Sequence, residues 1–252
     1  MLTSTEGLGQ LGRTRLRVSA GPAGGRCQVR TAVTRSDPTA PALRAVVLEH
    51  TARAARVALV PEGALLLAGD GIEVDVSVDE GLEVDLVETG GTVAYDMRGS
   101  SARWDVRVDL AAGATLRWAG LPFVVAAGAD VTRSVRIRCG QGARLALRET
   151  LVLGRYGELP GSVHQTTTVH DPTGPVLVED QPLDATSAAW LLGGSRVLSS
   201  VLSIGAEVAE TADDLHRYDL DRPGAVLWRR LGLQAHEIEL THAWGRATEA
   251  RT

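Results

Sequence analysis

Residues 142–158, GARLALRETLVLGRYGE, put an acid where a core residue belongs. Leu145, Leu147 and Glu149 alternate with Arg144, Ala146 and Arg148, the two-residue period of a β-strand. A carboxylate on an inward strand face is costly unless something pairs with it. Glu149 is therefore either half of an ion pair, with an arginine such as Arg155 as partner, or part of a site. Asp70 is the second acid of interest, in a Gly69-Asp70 pair after the apolar run 64–68, which reads as a strand. Its bland role is that of a turn residue bonding its own backbone. Its chemical role would be as an oxygen ligand, since a sparse set of buried carboxylates can line an ion path without forming a cage.

Other chemistry-bearing patterns do not assemble. His236-Glu237 with His242 lacks the HExxH spacing that sets two histidines on one helix face. His164 and His170 share a strand face about 20 Å apart, too far for one metal. Gly7-Leu8-Gly9-Gln10-Leu11-Gly12 fits GxGxxG but has no strand before it. Residues 193–195, Gly-Gly-Ser, lack the second glycine of a nucleophile elbow. A hydrolase built on Glu149 and Glu158 would need a nucleophile–base arrangement, and none is visible. All 26 basic residues are arginine, which removes lysine-dependent chemistry such as Schiff bases and P-loops. Cys27 and Cys139 stand far apart, as reduced thiols of a cytoplasmic protein would.

The elements that must position these residues read as strands. The 252-residue chain is 44% hydrophobic but only 4% aromatic, so Val, Leu and Ala have to fill the core. Its net charge of −5 gives no electrostatic footprint for nucleic acid. No stretch is apolar enough for a membrane span or a signal core. Residues 57–69, 76–87, 106–118 and 135–149 share one form: an alternating strand, a polar turn and a second alternating strand. Gly63, Gly81, Gly113 and Gly142 take the same turn position, where a positive φ is needed.

The expectation is all-β: a layered antiparallel scaffold of Gly-turn hairpins in a single domain, 1–252, without a true repeat solenoid. Residues 73–79 alternate Val74, Val76 and Val78 with Glu73, Asp75, Ser77 and Asp79, which reads as an acidic, solvated outer face. Further strands are expected at 162–169, 176–179, 196–204 and 206–209, and a short apolar segment over the sheet at 185–192. From Pro223 to Trp244 the apolar spacing is that of a helix broken at Gly224 and Gly232. Residues 1–12 and 245–252 read as flexible tails.

Three segments taken in order resemble the UreD family of urease accessory proteins, called UreH in some organisms. They are LLLAGDGIEVDVSV (65–78), LRWAGLPFVVAAGADVTRSVRIRCGQGARLALRETLVLGR (116–155) and VHQTTTVHDPTGPVLVEDQPLD (163–184). The resemblance runs from about Leu16 to Trp244 and is sharpest at Glu149–Arg155. Ala68 replaces the first of two family glycines, and Leu121-Pro122-Phe123 stands where a glutamine–glutamate pair is usual. Residues 88–97, ETGGTVAYDM, replace a threonine- and lysine-bearing segment, leaving Thr89 and Thr92. Lack of lysine fits an actinobacterial-type member.

The resemblance implies a non-enzymatic maturation factor with no permanently bound cofactor. Such a protein joins UreF-type and UreG-type accessory proteins to the urease apoprotein, with room for a dimer inside that complex, and Ni2+ passes through its interior in transit. By position, Asp70 and Glu149 match acids of the family's motifs and become candidates for the nickel path. The alternative is a β-sandwich adaptor that binds proteins through exposed strand edges and has no metal role.

Overall fold

Alternation of Val, Leu and Ala with polar residues gives strands along most of this chain. The computed structural model describes residues 9–22, 25–209 and 216–249. It begins with β1 (Gln10–Ser19), β2 (Gln28–Arg35), β3 (Ala42–His50) and β4 (Ala54–Glu62). The central strands are β5 (Asp70–Val78), β6 (Glu83–Glu88), β7 (Thr92–Ala94), β8 (Ala102–Leu110), β9 (Thr115–Val125), β10 (Asp130–Cys139) and β11 (Arg144–Leu153). After these come β12 (Ser162–Asp171), β13 (Gly174–Leu183), the short helix α1 (Ser187–Leu191), β14 (Val197–Ile204), β15 (Arg217–Asp219) and β16 (Val226–Gly232). A 3-10 turn (Ala235–Ile238) and α2 (Thr241–Glu249) close the described chain.

The all-β class holds, but the pairing is not the expected stack of hairpins. The strands on either side of Gly81, Gly113 and Gly142 lie in different sheets. One sheet is ordered β13-β12-β10-β8-β5-β1-β2, the other β15-β16-β14-β11-β9-β6-β4-β3, with β7 beside β9. In the first, β5, β8, β10 and β12 run parallel; in the second, β4, β6, β9 and β11 do. The chain coils from sheet to sheet, adding one strand to each per circuit. Antiparallel pairs occur at the margins, as in β1/β2, β3/β4 and β12/β13.

Backbone hydrogen bonding explains why these turns are arches. The three glycines hold φ of +65°, +63° and +65°, which costs a residue without Cβ nothing. Gly81 N–H donates to Ala112 O (3.0 Å) and Gly113 N–H to Gln141 O (2.9 Å). Each turn closes one bond on itself, as Leu82 N–H to Asp79 O (3.3 Å), and the glycine N–H groups of the first two bond the next arch in the stack. Between the sheets, Ile72, Val76 and Ile137 face Val84, Leu86 and Leu116, all essentially fully buried.

Local expectations fare unevenly. Residues 64–68 are a loop between the sheets, and 206–209 form no strand. Residues 226–232 are strand β16 rather than helix, because the edge of β14 offers a full antiparallel ladder. Helix is confined to the 3-10 turn and α2 beyond Gly232. Of the expected tails, Gln10–Gly12 begin β1 and 245–249 belong to α2; 1–8 and 250–252 lie outside the described residues. Among the described residues no helix is long and apolar enough to cross a membrane. The acidic outer face is partly covered: Glu73 is buried beneath Arg13, Arg103 (2.8 Å) and Arg107 (3.7 Å), and Asp105 beneath Arg103 (2.9 Å).

Candidate functional site

Apolar alternation on the inner faces is interrupted by charge at one level of the coil, where neighbouring strands carry polar or aromatic residues. In the first sheet Trp104, Arg133 and Gln165 stand side by side on β8, β10 and β12. In the second, Glu149 of β11 aligns with Ser200 of β14 and then Arg229 of β16. Glu88 ends β6 two residues after Leu86, on the same inward face. These side chains converge on a cavity of about 50 Å³ between the sheets, with Thr92 and Glu179 also in its wall. That is room for a few waters.

The polar row is tightly bonded. Arg133 Nη1 donates to Gln165 Oε1 (2.7 Å), and its Nη2 donates to Glu149 Oε1. The guanidinium lies 5.4 Å from the centroid of Phe123, the chain's single phenylalanine, whose ring meets Trp104 edge-on at 5.5 Å. At the rim, Arg229 grips Glu179 with both terminal nitrogens (2.6 and 2.8 Å), joining β16 of one sheet to edge strand β13 of the other. Glu149 is thus an ion-pair carboxylate, but its partner is Arg133 from the facing sheet and not Arg155. Arg155 lies past the end of β11, in the turn where it holds Glu158 at 2.6 Å. Glu158 also accepts from Ala127 N–H and is not part of the cavity wall, so the two acids of the hydrolase reading do not meet.

Glu88 is the acid that the sequence reading passes over. It accepts from Trp118 Nε1 (2.9 Å) and from Leu121 N–H (2.8 Å). That N–H is free because β9 bulges opposite Glu149, putting two residues, Gly120 and Leu121, against one of β11. Gly120 allows the approach: a Cβ there would stand 2.5 Å from Arg148 O. Burial pushes the Glu88 carboxyl above its usual range; the two hydrogen bonds and the charge of Arg133 pull it down, and Glu149 pushes it up again. Among the described residues no arginine forms an ion pair with it. Its signal lies in the alternation: Val84, Leu86, Glu88 repeats the register of Leu145, Leu147, Glu149.

Asp70 sits elsewhere. It opens β5 and accepts from Leu67 N–H at 2.6 Å, the turn-residue role, with its carboxyl raised by burial against that bond. It does not line the cavity, and β5 lies two strand spacings, about 10 Å, from β10. Thr92, one of the two threonines left in 88–97, reaches the cavity, while Thr89 bonds Leu59 O (3.3 Å). His164 contacts Asp180 on the exposed β12–β13 hairpin (2.5 Å). His236 and His242 fall on separate elements. Among the described residues, no three His, Cys, Asp or Glu side chains cluster as a metal cage. Cys27 and Cys139 are free and buried, and burial drives the Cys139 thiol up to about 12. Of the GxGxxG pattern, Gly12 is a β1 residue, and residues 7 and 8 lie outside the described chain.

Comparison with known proteins gives a consistent set of matches. The profile of the family described as UreD urease accessory protein matches residues 11–243. Urease accessory protein UreD 1 of Streptomyces griseus is 43% identical over 187 residues, covering 73% of this chain and 72% of that protein. Urease accessory protein UreD 2 of Saccharopolyspora erythraea is 31% identical, over 60% of this chain and 55% of its own length. Urease accessory protein UreD of Frankia casuarinae is 34% identical over 69% of this chain, and the match spans 58% of that protein.

Proposed function

The chain belongs to the UreD family of urease accessory proteins, and from that premise we propose a non-enzymatic scaffold that conducts Ni2+ during urease maturation. In this reading the chain acts as one domain in the cytoplasm, joins UreF-type and UreG-type proteins to the urease apoprotein, and lets Ni2+ pass as cargo. The observation that carries it is the transverse polar row. Glu88, Glu149 and Glu179 reach into a water-sized space between two otherwise apolar sheets. Carboxylates without imidazole or thiolate partners attract a borderline cation yet hold it loosely, as transit requires. Asp70, buried at the start of β5 and outside that cavity, is carried in this proposal as a second acid of the path by its position in the family's motif.

Asp70→Ala combined with Glu149→Ala tests the reading. Complex assembly should persist in co-purification while the nickel content of the urease falls. Full nickel loading in the double variant sinks the conduction role. The adaptor reading is supported by the apolar, exposed Val46, Val47 and Leu48 on edge strand β3 and Val178 on edge strand β13. An adaptor without a metal role would retain its partners and full urease loading in that variant.

A further inference from the structure

Resting on the reading of the interior row as a cation path, we infer that Arg133 is its charge gate, a positioning residue that surrenders Glu149 only to a divalent ion. The guanidinium has three anchors: Gln165 beside it on β12, the face of Phe123, and Glu149 in the opposite sheet. Only the last is charged. When Glu149 is taken, Arg133 keeps a hydrogen bond and a ring face, so the exchange breaks one ion pair without stranding the cation. Its Nε has no partner though the residue is nine-tenths buried in the cavity wall, so the side chain is not locked by a full set of bonds.

Charge decides what can open this gate. Arginine cannot shed its proton. A monovalent ion replacing it on Glu149 brings the same single charge and forfeits its own hydration. A divalent ion gives up more hydration still, but it brings twice the charge and meets a second carboxylate, Glu88, held only by Trp118 and a backbone N–H, in a cavity with room for waters it can retain. Arg133, still on Gln165, then repels the bound ion and returns to Glu149 as it leaves. Without Arg133, the paired acids become a trap.

The test uses the full chain co-expressed with urease and its other accessory proteins. Arg133→Met should bind Ni2+ at least about tenfold tighter by calorimetry on the purified accessory complex, the effect of roughly 1.4 kcal/mol. It should leave the urease underfilled, and Arg133→Met with Glu149→Gln should abolish the added affinity. Gln165→Leu removes the resting place without stranding a charge. It should add no affinity yet slow nickel filling of urease. Arg133→Met that co-purifies with its partners but binds Ni2+ no tighter and fills urease normally overturns the gate. If Arg133→Met does not accumulate, normal filling with Gln165→Leu overturns it alone. Conduction itself is judged by Asp70→Ala with Glu149→Ala: nickel loss there beside normal Gln165→Leu filling discards the gate and keeps the path.

Discussion

Replacing Arg133 by methionine should destabilise the protein by an amount its surroundings define. Both side chains of the pair are largely buried, Arg133 at 10% exposure and Glu149 at 18%. Methionine fills much of the arginine's volume, so the loss is of charge and hydrogen bonds more than of packing. Glu149 is left as an uncompensated carboxylate, and Gln165 Oε1 loses the donor that Arg133 supplied. Removing one partner of a buried pair costs about 3–5 kcal/mol, and the polar cavity beside Glu149 sets the value near the lower end, about 3 kcal/mol. For a domain of this size that lowers the Tm by about 6–12 °C.

The companion Glu149→Leu with Arg133→Met removes both charges. It should return to within about 1 kcal/mol of the parent, since buried pairs exchanged for apolar residues are often neutral. Thermal melts of the parent, the two single variants and the double variant, followed by circular dichroism, complete the cycle. A single variant that loses less than about 2 °C, or a double variant no more stable than the single ones, refutes the interior ion pair.

Two further outcomes follow from groups whose burial sets their protonation. The Glu88 carboxyl is raised by burial, so its contribution to stability is full below the ordinary carboxylate range and is lost as pH rises through its elevated pKa. Glu88→Gln removes that loss but surrenders one of the two hydrogen bonds, because an amide has a single oxygen to offer Trp118 and Leu121. Its Tm relative to the parent should therefore climb as pH rises above the ordinary carboxylate range, and a flat or falling difference contradicts the assignment. Cys139, with its thiol driven up to about 12, should resist a disulfide exchange reagent in the native protein and react only on unfolding. Peptide mapping that finds Cys139 modified in the folded state counts against its burial.

The sequence carries the faces of the strands but not their partners. A period of two states which side chains point inward, and this is readable at Val74–Val78 and at Leu145–Glu149. It is silent on whether the strand after Gly81 returns beside its predecessor or crosses to face it, because both outcomes bury the same residues. Long-range bonds such as Gly81 N–H to Ala112 O decide the matter, and no local pattern encodes them. Antiparallel hairpins are therefore the natural expectation, and the coil is not.

The same limit hides half of the candidate site. Arg133 sits between inward Val131 and Val135, and Gln165 between Val163 and Thr167, so each breaks its strand's alternation as Glu149 does. Singly, such breaks read as isolated ion pairs or turn residues, and Arg155, close to Glu149 in the chain, draws the pairing. Only the parallel register brings Arg133 beside Gln165 and opposite Glu149, turning scattered exceptions into one row across the sandwich. In a coil of parallel strands, a polar residue at an inward position gains meaning from its neighbours one circuit away, about thirty residues along the chain, as Gln165 lies from Arg133. Interruptions of the alternation that recur at the length of a circuit, and not at the length of a hairpin, are the signature by which such a row can be read from residues alone.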